Sequence, residues 1–113
     1  MINDPMRRTL AKRDPYCVHC GDDFDLVIHH RKNRGMGGSK KLDVYENLMR
    51  VCQPYNSLME SDSKIAQEAI EFGHKLRSWE DYSSPVYDRF TDSWYLLGVK
   101  GDKAPVEPPA FLI

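Results

Sequence analysis

Leu26-Val27-Ile28-His29-His30-Arg31-Lys32-Asn33-Arg34-Gly35-Met36-Gly37-Gly38-Ser39, followed by Glu46-Asn47-Leu48 and Cys52-Gln53-Pro54-Tyr55-Asn56, is the stretch around which the chain is organised. Three β-favouring residues deliver two adjacent histidines into a segment rich in Arg, Lys and Gly, which carries positive charge and can bring its backbone close to a ligand. Such a segment suits phosphate. Neighbours on a strand point to opposite faces, so His29 and His30 can take different tasks, one toward a metal and the other toward a reacting water.

The chain has 113 residues, the size of one domain with a modest core. Its net charge of −1 is unevenly placed: residues 1–50 hold ten Lys/Arg against seven Asp/Glu, and residues 51–113 hold six against ten. The basic half contains the histidine pair. No run of 18 apolar residues exists, which excludes a membrane-spanning helix, and Met1-Ile2-Asn3-Asp4-Pro5 lacks the pattern of a signal peptide, so the expected location is the cytoplasm. Three cysteines in a reducing compartment cannot all pair, which makes metal ligation a better expectation than a disulfide framework.

Outward from the central stretch, Asp4-Pro5 gives a helix start, with Asp4 as N-cap and Pro5 at the first helical position, for a short basic helix ending near Asp14-Pro15. Cys17-Val18-His19-Cys20-Gly21 makes a tight knuckle, and Cys52 follows at a distance suited to a second one. Asp25 to His30 reads as a strand, and Tyr45 to Val51 as a turn running into another. Asn56 to Phe72 carries Ile65, Ala69 and Phe72 at helical spacing; this helix breaks near Ser61-Asp62-Ser63 and stops at Gly73. Lys75–Trp79, Val86–Phe90 and Trp94–Val99 are β-like runs separated by turn signals, which predicts a small antiparallel meander, and the proline-containing tail, 105–113, is expected to be extended. Trp79 and Trp94 are assigned to the core, while His19 and His74 are read as incidental.

Cys17-x-x-Cys20, His29-His30, Gly37-Gly38, Glu46-Asn47-Leu48 and Cys52-x-x-Tyr55-Asn56, in that order, resemble an HNH endonuclease with a ββα-metal (His-Me finger) core. More narrowly, residues 29–39 resemble those of small HNH proteins of actinobacterial phages and prophages, and the likeness continues weakly through Gly73, Arg77, Trp79, Pro85-Val86 and Trp94-x-Leu96-Leu97. The fold class expected is therefore α+β, a single domain over 1–113: a ββα-metal core at about 14–72 with a basic N-terminal helix and a Cys knuckle, a C-terminal β extension at about 73–104, and the tail.

The resemblance implies a metal-dependent endonuclease that nicks or cleaves DNA, leaving 5′-phosphate and 3′-hydroxyl ends. His29 and Asn56 would hold one divalent metal, Mg²⁺ or Mn²⁺ with Zn²⁺ or Ni²⁺ as alternatives, which acts as a Lewis acid on the scissile phosphate. His30 would be the general base, a role that suits imidazole near neutral pH. Asn47 would hold the loop through its amide, so that a backbone carbonyl orients His30. Arg31, Lys32, Arg34, Lys40 and Lys41 cluster beside this site as candidate DNA phosphate contacts. Family analogy adds a terminase partner in genome packaging, in the cytoplasm of a bacterial host, and no membrane.

Two departures stand out. The family usually carries Cys-His where this chain has Tyr55-Asn56. An amide oxygen at Asn56 is a hard ligand compatible with Mg²⁺ or Mn²⁺. Losing the thiolate leaves a structural zinc on Cys17, Cys20 and Cys52 in need of a fourth donor, with water, His19 or a reoriented Tyr55 as candidates; without zinc the thiols would pack as small apolar groups. Glu60 and Asp62 are candidates for a third ligand of the catalytic metal. The alternative reading is a degenerate HNH fold serving as a non-catalytic DNA- or protein-binding module.

Overall fold

Helix α1, Asp4–Arg13, opens the computed structural model, which describes residues 2–32 and 42–109. Its N-cap is Asn3 rather than Asp4: the Asn3 side chain accepts the Met6 N–H at 3.0 Å, and Asp4 moves into the first turn, where its charge complements the helix dipole. The helix buries Leu10 and Arg13 and ends as predicted at Asp14. Arg13 fixes it to the rest of the chain. The guanidinium pairs with Asp14 at 2.8 Å and donates to the carbonyls of Tyr45 (2.9 Å) and Leu48.

Strands β1 (Leu26–His30) and β2 (Leu48–Cys52) form an antiparallel pair whose register runs from Leu26 opposite Cys52 to His30 opposite Leu48. This register puts the histidines at one end and Cys52 at the other. The turn predicted before β2 is present at Tyr45–Asn47. Helix α2, Gln53–Ser61, follows β2 directly and starts before the predicted Asn56, because Pro54 suits the first turn, where no N–H is required. Asn56 therefore lies in that first turn. Asp62 makes the predicted break: its carboxylate accepts from the N–H groups of Lys64 and Ile65 and starts helix α3, Ser63–Glu71.

The second sheet has the order β3-β4-β5, with β3 at Val86–Asp88, β4 at Ser93–Leu97 and β5 at Lys103–Val106. The predicted meander is present with a different membership. Lys75–Trp79 is no strand; it contributes a single parallel bridge between Leu76 and Lys32 and then turns, with Arg77 N–H on the Glu80 carboxylate. The third strand comes instead from Lys103–Val106, which runs from the end of the predicted β extension into the segment predicted to be extended tail, and Pro105 is accommodated because β5 lies at the sheet edge. Trp94 is buried as expected, whereas Trp79 is 79% exposed and does not belong to the core. The second sheet meets the knuckle region through Arg89 N–H on the Val18 carbonyl (2.7 Å) and Tyr16 O–H on Asp88 (2.9 Å).

Gly73 ends α3 for two reasons, a φ of +74° and a backbone approach that would put a Cβ 1.9 Å from the Pro85 carbonyl oxygen. Gly73→Ala is expected to destabilise the domain by on the order of 2–4 kcal/mol, combining left-handed strain with a clash against backbone that cannot step aside. Urea denaturation should show a lowered midpoint with an unchanged slope.

Candidate functional site

The two ends of the β1–β2 pair carry separate constellations. At the Cys52 end, the Sγ atoms of Cys17, Cys20 and Cys52 lie within 4.8 Å of one another, and those of Cys20 and Cys52 are 3.4 Å apart. The knuckle closes through Gly21 N–H on the Cys17 carbonyl (2.7 Å), with Gly21 at φ +75°. Cys17 and Cys52 are buried and Cys20 is exposed. Burial raises the Cys17 thiol and pushes the Cys52 thiol up to about 12, so both are protonated at neutral pH in the absence of a metal. This cluster could bind a metal such as zinc. Among the described residues, it is the one place where three or more His, Cys, Asp or Glu side chains converge closely enough to do so.

Neither protein donor suggested for a fourth position joins the sulfurs. The Tyr55 hydroxyl is 2.6 Å from His74 Nδ1, and the His19 ring stacks on the Tyr55 ring at 3.9 Å and 8°. His74, read from sequence as incidental, is instead fully buried at the centre of a polar chain. Its Nε2 is 2.6 Å from the Tyr87 carbonyl, which can only accept, so the proton sits on Nε2 and Nδ1 accepts from the Tyr55 hydroxyl. Desolvation lowers the His74 pKa to about 3, which keeps the ring neutral.

The His74 backbone carbonyl carries this order to the other end of the strands, where it accepts from His29 Nε2 at 2.7 Å. That bond assigns the His29 tautomer and leaves Nδ1 with the lone pair. His29 is buried, and burial lowers its pKa, against the opposing influence of the Asn56 side chain and the Glu60 carboxylate. A neutral imidazole whose other nitrogen donates to a carbonyl is the usual state of a metal-ligating histidine. His29 and Asn56 are thus brought together as predicted, with Glu60 acting on the same ring. Asp62 is committed to capping α3.

His30, on the opposite face, is half-buried and places Nε2 2.7 Å from Oδ1 of Asp43. The partner is a carboxylate and not the backbone carbonyl that the resemblance implied. Sequence reasoning missed Asp43, although an acidic residue four positions before Asn47 was visible; nothing in its spacing says that the chain returns to His30. Asn47 does hold the loop. Its Oδ1 accepts from Lys32 N–H (2.7 Å) and its Nδ2 donates to the carbonyls of Leu42 (2.9 Å) and Lys32 (3.4 Å), which joins the two ends of segment 33–41.

The predicted phosphate contacts need correction at Arg31. Its side chain is fully buried and donates to the carbonyls of Gly73 (2.8 Å), Glu46 (2.9 Å) and Ser84 (2.6 Å), so it has no nitrogen to offer a phosphate. Desolvation brings even this guanidinium down to about 10. Lys32 is half-buried, with its ammonium 5.2 Å from the centre of the Tyr82 ring. Arg34, Lys40 and Lys41 lie outside the described residues. Comparison with family models, with curated proteins and with solved structures finds no match to this chain.

Two outcomes are expected from this geometry. Adding Zn²⁺ to the metal-free protein in weak buffer should release protons from the raised thiols, with affinity increasing steeply with pH, and Cys52→Ser should weaken uptake at least tenfold. Isothermal titration in two buffers of different ionisation enthalpy measures both effects. The histidines set the acid stability. Between 6.5 and about 3 the unfolded chain binds the proton that folded His74 refuses, and lowered His29 acts in the same direction. Their contribution is therefore complete above pH 6.5 and is lost as the pH falls, with a slope approaching ~1.4 kcal/mol per pH unit for each group. Urea midpoints of the metal-free protein should accordingly drop on acidification below pH 6.5.

Proposed function

We propose that this protein is a metal-dependent HNH-type endonuclease that hydrolyses DNA phosphodiester bonds, and that β1, β2 and α2 serve as its ββα-metal core. The observation that carries the proposal is the division between two adjacent histidines. His29 is buried, with Nε2 on a backbone carbonyl and Asn56 beside it, while His30 is half-buried on the other face against a carboxylate. A structural role explains one satisfied histidine well. The strand's alternation accounts for the two unlike faces; a structural role gives no reason for an imidazole on each of them.

In this reading His29 and Asn56 would hold a divalent metal, which when bound would supply Lewis-acid stabilisation of the charge that develops at the scissile phosphate. His30 removes a proton from water, and the water oxygen attacks phosphorus as the bond to the 3′-oxygen breaks. Asn47 keeps the ends of the basic loop together so that it can meet the DNA backbone. The structural metal on the three cysteines would be zinc, with solvent completing four-coordination. The resemblance extends the proposal to a phage or prophage setting beside a terminase in the host cytoplasm.

One observation favours the second reading, a non-catalytic DNA- or protein-binding module: among the described residues, His29 is not joined by two further His, Cys, Asp or Glu side chains close enough to hold a metal with it. Conversion of supercoiled plasmid by the purified protein in Mg²⁺ or Mn²⁺ separates the two. The expected result is metal-dependent cutting, abolished by EDTA and lowered by on the order of 10²-fold or more in His30→Ala. Folded protein that binds DNA and cuts in no metal would favour the module.

A further inference from the structure

We propose that Asp43 is the positioning residue for His30, holding its imidazole as the Nε2–H tautomer so that Nδ1 is the nitrogen that takes the proton from water; the inference rests on the hydrolase reading above. Asp43 Oδ1 lies 2.7 Å from His30 Nε2, within the range of a charge-assisted hydrogen bond. An ionised carboxylate only accepts, so the ring proton is on Nε2. The side chain of Asp43 is 4% exposed and that of His30 is 15% exposed, so the imidazole and not the carboxylate keeps an edge toward solvent.

The carboxylate is held from behind. Asn47 donates its side-chain amide to the Leu42 carbonyl at 2.9 Å and its backbone N–H to the Val44 carbonyl at 3.0 Å, which fixes the residues on either side of Asp43. Asn47 would then orient the base indirectly, through Asp43. His29 provides an internal comparison, since it also donates Nε2–H, but to the neutral His74 carbonyl. Only at His30 does the acceptor carry a charge able to stabilise the imidazolium formed when water gives up its proton. In the step itself a water O–H bond breaks and its proton moves to Nδ1. A bond from the water oxygen to phosphorus forms, the phosphorus–O3′ bond breaks, and the 3′-oxygen takes a proton from solvent.

The test uses the full chain labelled with ¹⁵N-histidine. Two-bond ¹H–¹⁵N correlation spectra should show His30 as Nε2–H in the wild type and a shift toward Nδ1–H in Asp43→Asn, whose amide can donate to Nε2. In the plasmid assay with Mg²⁺, Asp43→Asn should lower kcat by on the order of tenfold or more with KM for DNA unchanged, Asp43→Glu should recover part of the loss, and Asp43→Asn should add nothing in a His30→Ala background. An Nδ1–H wild type, or equal losses from Asp43→Asn with and without His30, overturns the assignment. Should Asp43→Asn fail to fold, the wild-type tautomer and the Asp43→Glu kinetics decide. A tautomer that switches as described in a protein that cuts nothing supports the His30–Asp43 pair and overturns the hydrolase reading alone.

Discussion

A guanidinium with no exposed surface and, among the described residues, no carboxylate bonded to it is costly, and the arrangement of this chain follows from how that cost is met. Removing an ion from water costs several kcal/mol even after relaxation. Arg31 offsets this with three carbonyls drawn from the turn before β2, the exit of α3 and the approach to β3. Each bond to a charged donor contributes roughly 1.5–3 kcal/mol. The backbone of Arg31 is equally committed, its N–H to the Asn47 carbonyl and its carbonyl to Leu76 N–H, both at 2.7 Å. One residue thus joins four segments that no continuous sheet connects. The two residues immediately before it are His29 and His30.

The second organising element is the buried chain from Tyr55 through His74 to Tyr87. It joins the cysteine end of the β1–β2 pair to the histidine end, because the residue that accepts the Tyr55 hydroxyl also offers its carbonyl to His29. Tyr55, with its hydroxyl on His74 rather than among the sulfurs, thus belongs to the support of His29 and not to the knuckle. In low dielectric such a network is rigid when fully satisfied, and among the described residues no buried side-chain nitrogen or oxygen lacks a partner.

Local signals carried much of this architecture in the sequence. The break at Asp62, the stop at Gly73, the turn before β2 and the knuckle ending in Gly21 each depend on a residue type whose backbone preference is legible in isolation. The loop-holding role of Asn47 came from the resemblance, and an amide with both donor and acceptor capacity suits that task. What could not be read depended on distant chain segments. Arg31 looks like any basic loop residue until carbonyls from positions 46, 73 and 84 surround it. His74 looks incidental until Tyr55 and Tyr87 close around it. Pro105 argued against a strand, yet an edge position needs no N–H from it.

Adjacent histidines on one strand raise an electrostatic question whose answer constrains the site. Each imidazolium would repel the other, and His30 does act to lower the His29 pKa. A strand resolves the conflict through its period of two, which sends the rings into unlike surroundings. His29 enters a buried face where charge is penalised by desolvation and the available acceptor is a peptide carbonyl. A proton gained at His30 instead sits beside a carboxylate at 2.7 Å, with an edge still open to water. Slipping the sequence by one residue against β2 would exchange these environments, so the Leu26↔Cys52 to His30↔Leu48 register is as much a part of the candidate site as the side chains themselves.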